Sequence, residues 1–337
     1  MKKYFWFILL LAISATTTAQ KNIIFDTDMG NDVDDALAVD MLYKYHSSGR
    51  INLLAIMLNK EGKYPPMFID LLNTWYGQPK IPIGISNRDS LSIVAGANYT
   101  EVVVNEKNAR GKALYKRTLK NYDKLPDAYK LYRQLLSEKP DHSVTIVSVG
   151  FSTNLARLLE SPADEFSPLS GKELIAQKVD RLVVMAGHFE DPKFREYNVV
   201  NDIPACQKVY AEWPTDMYSS GFEVGLRIKY PAKSIENDFS WTSHHPITDA
   251  YKAYLEKIED RPTWDLTAVL FAIDPGTLFN VSPAGRIKVT DEGCTHYTKD
   301  MQGNRYYLKV TENQCKKILK YFLGMIPMNP ADFKNQK

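Results

Sequence analysis

The stretch "NIIFDTDMGNDVDDALAVDMLYKY", residues 22–45, sets Asp26, Asp28, Asp32, Asp34 and Asp35 between an apolar run and an amphipathic one. The apolar start, "NIIF", reads as a short strand. From Val33 the apolar residues Val33, Leu37, Met41 and Tyr45 recur at helical spacing until Gly49, a C-terminal cap. The same order of strand, polar loop and helix then repeats. "INLLAIML" (51–58) is a continuous apolar run of buried-strand type. Pro65 and Pro66 open a helix at "PPMFIDLLNTWYG", and "IPIGI" (81–85) is a short strand. After a polar, irregular region to about residue 120, "YKLYRQLLSEK" reads as helix and "VTIVSVG" (144–150) as strand. "STNLARLLES" is a capped helix, "RLVVMAG" (181–187) a strand, and "CQKVYAEW" and "WDLTAVLFAI" (264–273) are helices. This alternation predicts an α/β fold, an open and mostly parallel sheet with helices on both faces. No repeat, low-complexity tract or linker divides the chain, so residues 20–337 are expected to form a single domain.

Residues 1–19 read as a signal peptide: Lys2 and Lys3 precede an apolar run, and Thr17 and Ala19 occupy the small-residue positions of a cleavage site. The run is shorter than the roughly 20 residues a spanning helix needs. The expectation is an exported protein, periplasmic or secreted, with no stable membrane insertion after cleavage. Cleavage would remove two of the 42 basic residues and none of the 40 acidic ones, leaving 40 of each and zero formal charge. Such a balance lacks the basic footprint of a nucleic-acid binder. Cys206, Cys294 and Cys315 lack CxxC spacing and read as packing residues.

In open α/β sheets the ligand crevice lies beyond the carboxyl ends of the strands, where the aspartate cluster begins. Aspartates also cap helix amino ends, which accounts for Asp32 and one neighbour. Five carboxylates exceed what one cap uses, and oxygen-rich clusters bind hard cations. The spacing is not that of an EF-hand, so further ligands must come from elsewhere in the chain.

"DTDMGNDVDDALA" (26–38) resembles the amino-terminal signature of the calcium-dependent, inosine-uridine preferring nucleoside hydrolases, with two extra residues between the glycine and the paired aspartates. Haloacid dehalogenase phosphatases also carry DxD after a first strand. They usually have Thr or Val two residues after the second Asp, where this chain has Gly30. Three later segments strengthen the hydrolase resemblance: "VTIVSVGFSTNLARLL" (144–159), "VVMAG…EYNVVNDIPA" (183–205) and "WDLTAVLFAIDP" (264–275).

The resemblance implies hydrolysis of the N-glycosidic bond of a small-molecule nucleoside to base and ribose, for salvage. It implies Ca²⁺ held by the side chains of Asp28, Asp35 and Asp265 and the carbonyl of Val149. Asp28 would also be the general base for the attacking water. Asp34 matches the acid that binds the ribose 2-hydroxyl, with Asp32 as its rival, and Glu196 and Asn198 match residues that hold ribose and steady positive charge. Family members commonly form dimers or tetramers, so a homo-oligomer is implied.

The chain also departs from the pattern. Trp264 stands where many members have a histidine before the last metal-binding Asp; it cannot be a general acid but can stack on a purine, so purine nucleosides are the expected substrates. After the second strand the usual ribose-binding Asn has three candidates in open register, Asn59, Lys60 and Glu61. The Asn expected about six residues before Glu196 is replaced by Glu190 or Asp191. Among the histidines only His188 lies beside the crevice. Two other readings stay open, a non-catalytic calcium-dependent nucleoside or sugar binder and a Mg²⁺ phosphohydrolase.

Overall fold

A computed structural model describes residues 20–86, 98–255 and 257–335. The signal-peptide reading lies outside these residues. Six parallel strands alternate with helices: β1 Lys21–Thr27, α1 Asp34–Ser47, β2 Ile51–Leu58, α2 Tyr64–Trp75, β3 Ile83–Ile85, α3 Tyr99–Asn105, α4 Ala128–Ser137, β4 Val144–Ser148, α5 Thr153–Glu160, α6 Gly171–Lys178, β5 Val179–Met185, α7 Tyr197–Val200, α8 Ile203–Glu212 and β6 Asp216–Ser220. Their order in the sheet is β3-β2-β1-β4-β5-β6. Arg305–Lys309 adds parallel to β6, and Gly285–Val289 and Thr295–Lys299 extend that edge as antiparallel strands. The sheet is therefore open and mostly parallel. Its strand order reverses between β1 and β4, and that is where a doubly wound sheet opens its crevice.

Period-two alternation divides the core into two layers. Ile23 and Phe25 of β1 join one apolar cluster with α1, α2 and the helix Trp264–Ile273, while Ile24 joins the other with α4, α5 and α8. Gly49 adopts φ +76°, and its N–H reaches the His46 carbonyl to close α1. Inside α1 a fully buried pair, Lys44 Nζ to Asp40 at 2.8 Å, also donates to the Met325 and Ile326 carbonyls and ties the helix Glu312–Met325 to the core.

Several elements differ from expectation. Helix α3 forms within the region read as irregular. Strand β6, "DMYSS", shows no apolar signal, because its buried Ser219 and Ser220 satisfy their hydroxyls on Tyr210 and Thr267. All three cysteines are unpaired, with Cys206 and Cys294 buried. Among the described residues no helix is long and apolar enough to cross a membrane.

Candidate active site and cation-binding centre

The chain leaves β1 at Thr27 and turns at Gly30, whose φ of +103° suits only glycine without strain. The Tyr99 hydroxyl accepts from Gly30 N at 2.9 Å and donates to the Asp32 carbonyl at 3.0 Å, so the turn is anchored from α3. Beneath it, β4 approaches so closely that a Cβ on Gly150 would lie 2.6 Å from Asp28 N. Asp34 and Asp35 then form the first turn of α1, where backbone N–H groups favour carboxylates.

Helix α1 packs against the helix Trp264–Ile273, which brings Asp265 to the same point from a different part of the chain. Asp265 N donates to Asp34 Oδ2 at 3.0 Å, and the Thr27 hydroxyl donates to Asp35. Carboxylate oxygens of Asp34, Asp35 and Asp265 lie within 4.8 Å of one another. All three are buried. Burial first, and then mutual repulsion, pushes their pKa values well above the usual carboxylate range, and burial lifts Asp28 to about 6. Buried, clustered and all-oxygen, this donor set suits a hard divalent cation, which would relieve both penalties. Asp28, Asp35, Asp265 and the Val149 carbonyl could hold it, with Asp34 within reach.

These groups line one side of a cavity of about 390 Å³. Glu196, Tyr197 and Asn198 line another part, with Phe222, Tyr254 and Trp264 supplying aromatic wall. Asn198 Nδ2 donates to the Val149 carbonyl at 3.0 Å and the Met185 carbonyl at 2.9 Å, tying the ends of β4 and β5 together. The Glu196 carboxylate caps α7, accepting from the backbone N–H groups of Asn198, Val199 and Gly187. Burial nonetheless raises it to about 7, against those three donors. The Trp264 indole N–H donates to the Phe222 carbonyl at 2.9 Å, and the two rings stack at 5.2 Å.

Asp28, Asp34, Asp35, Val149, Glu196, Asn198, Trp264 and Asp265 thus share one cavity. Asp32 lines it too, but is ion-paired to Arg261, whose guanidinium stands 5.4 Å from the Tyr254 ring centre. Asp34 instead belongs to the carboxylate triad, its Oδ2 accepting from Asp265 N. Asn59 is committed elsewhere, donating to Asp26 at 2.6 Å and accepting from Phe151 N at 3.1 Å. Glu190 pairs with Arg227 at the surface. His188 stands behind the wall rather than in it: its Nδ1 accepts from the Glu190 and Asp191 backbone, and its ring clusters with Phe194 at 4.6 Å and with the cavity-lining Phe222 at 6.0 Å. Sequence reasoning missed Asn31, Tyr197, Phe222 and Tyr254 in the wall. The first lies inside the quoted motif, and the second sits between two residues already singled out.

Fold and site together define an α/β protein with a carboxylate centre at the switch point of a doubly wound sheet. The chain belongs to the inosine-uridine preferring nucleoside hydrolase family, whose model matches residues 23–317. Many solved structures share the fold, among them the following three. A purine-preferring ribonucleoside hydrolase from Gardnerella vaginalis is 16% identical over 92% of this chain and 100% of that one, with a TM-score of 0.69. An inosine-uridine preferring nucleoside hydrolase from Bacillus anthracis is 17% identical over 90% and 99%, with a TM-score of 0.64. The type III effector XopQ, solved with adenosine diphosphate ribose, is 13% identical over 92% and 95%, with a TM-score of 0.66. No curated protein matches the chain.

Proposed function

We propose that this protein is an exported, Ca²⁺-dependent nucleoside hydrolase that releases a purine base and ribose. The observation that carries the reading is the convergence of Asp34, Asp35 and Asp265 beside Asp28, in a cavity that Glu196, Asn198 and Trp264 also line. In the reaction a water oxygen bonds to the anomeric carbon while the bond from that carbon to the base nitrogen breaks, through a transition state with oxocarbenium character. Asp28 takes the proton of the attacking water. Glu196 and Asn198 hold ribose hydroxyls, and their oxygens stabilise positive charge on the sugar. Calcium, when bound, supplies the positive charge that orients the sugar diol and acidifies water. Trp264 stacks on the purine; with its N–H bonded to Phe222, it donates no proton, and the departing nitrogen is protonated from solvent.

A second reading is a calcium-dependent nucleoside binder without turnover. Its support is that no histidine, lysine or cysteine among the described residues lines the cavity. Purified protein incubated with inosine, adenosine, guanosine and uridine separates the two. Base release that needs calcium and is lost in Asp28→Asn supports hydrolysis. Stoichiometric ligand binding without release supports the binder, and phosphate release from phosphomonoesters under Mg²⁺ would replace both with a phosphohydrolase.

A further inference from the structure

Asn31 occupies the turn that carries the two-residue insertion, and it is buried, with 9% of its surface exposed. Its side chain lines the cavity, and Nδ2 donates to Asp28 Oδ2. Its Oδ1 accepts from Lys60 Nζ, and the same ammonium donates to the Gly30 carbonyl at 3.3 Å. Lys60 lies two residues beyond the end of β2 and is also buried. Its position is fixed by the backbone, since Asn59 N donates to the Thr27 carbonyl at 3.0 Å and pins the end of β2 to the end of β1.

This chain of contacts permits one orientation of the amide. Flipping Asn31 would set its NH₂ against an ammonium and its carbonyl oxygen against a carboxylate, replacing two attractions with two repulsions. The Asn31 N–H bonds to the Asp28 carbonyl at 3.2 Å, so the backbone of the turn is closed on the residue its side chain holds. Oδ2 of Asp28 is thereby held by Asn31, on a carboxylate residue that lines the cavity. Asn59 cannot share the task, because both ends of its amide are bonded to Asp26 and Phe151.

We propose that Asn31 and Lys60 form a positioning pair that fixes the Asp28 carboxylate, with Lys60 orienting Asn31 and Asn31 orienting Asp28. The proposal rests on the reading of Asp28 as a calcium ligand and base. The pair links the ends of β1 and β2 across the cavity wall and delivers the influence of a cation to Asp28 through a neutral amide. Lys60 itself stays out of the space where a nucleoside binds.

The test uses the isosteric Asn31→Leu, the uncharged Lys60→Met, the double variant, and Lys60→Arg as the conservative replacement. Calcium affinity is measured by titration calorimetry, kcat and KM with inosine, and folding by thermal unfolding. Losing a group that orients a metal ligand typically costs 10–100-fold in affinity or activity. Asn31→Leu and Lys60→Met should each weaken calcium binding by about tenfold or more and lower kcat more than they raise KM. The double variant should be no worse than Asn31→Leu alone, and Lys60→Arg should recover part of the loss. Calcium affinities within twofold of wild type in both single variants would overturn the proposal, as would losses that multiply in the double. If the wild type binds calcium but releases no base, the hydrolase reading fails while the coupling seen by calorimetry still decides the pair. A wild type that binds no calcium overturns both.

Discussion

Removing calcium should destabilise the protein in a manner that depends on pH. Asp34, Asp35 and Asp265 have pKa values raised well above normal, and Asp28 is raised from 3.8 to about 6. A carboxyl whose folded pKa exceeds its unfolded value holds an extra proton in the native state between the two values. Its contribution is therefore present at low pH and lost as pH rises through the folded pKa. For Asp28 that window runs from about pH 4 to about pH 6. At pH 5 its share relative to pH 7.5 is about one unit, or ~1.4 kcal/mol. An unfolding entropy of about 2.1 cal/mol/K per residue over about 315 residues gives roughly 0.66 kcal/mol/K, so this share alone raises Tm by about 2 °C. The other three carboxyls add in the same direction.

Calcium at about 100 times its Kd should stabilise the native state by ~2.7 kcal/mol, or about 4 °C, at pH 7.5. Protons compete for the same oxygens, so the shift should shrink towards zero by pH 5. Differential scanning fluorimetry in calcium and in chelator, at the two pH values, measures this directly. An equal calcium shift at both pH values, or none at pH 7.5, would refute the reasoning.

Trp264→Ala should lower kcat/KM for inosine by 10–100-fold while uridine turnover changes much less, consistent with about 1–3 kcal/mol for a stacked base; equal losses on both would place Trp264 in packing alone. Lys44→Ala leaves Asp40 buried with the Tyr76 hydroxyl but no cation, and should cost about 3–5 kcal/mol in denaturant unfolding. Gly150→Ala should abolish calcium binding before it abolishes folding, because its methyl group would lie 2.6 Å from Asp28 N and 2.5 Å from Asn59 Oδ1; calorimetry alongside circular dichroism separates the two.

Much of this architecture was legible because parallel strands buried on both faces are apolar throughout. The apolar run "INLLAIML" coincides with the bounds of β2, and "WDLTAVLFAI" with those of its helix. Elements whose stability comes from partners rather than from their own residues were not legible. Three of the five residues of strand β6 are serine or tyrosine, and it is held by hydroxyl contacts from α8 and the helix Trp264–Ile273. The antiparallel strands near the C-terminus have alternating or polar faces and carry no continuous apolar run. At the site, the aspartates announced themselves by their density. Spacing alone leaves both Asp32 and Asp34 as candidates for the ribose 2-hydroxyl, and the pairing of Asp32 with Arg261, distant in sequence, is visible only in space. Sequence leaves Asn59, Lys60 and Glu61 in open register after β2, and the bond of Lys60 to Asn31 depends on the turn at Gly30, which spacing does not show.

The central claim is that the carboxylate centre, loaded with calcium, breaks the N-glycosidic bond. Its most direct test is release of hypoxanthine and ribose from inosine by protein first stripped with chelator and then given calcium back. The account predicts no release after stripping and full recovery on restoring calcium, with Asp265→Asn inactive in both states. Equal release with and without calcium, or undiminished release by Asp265→Asn, would contradict it.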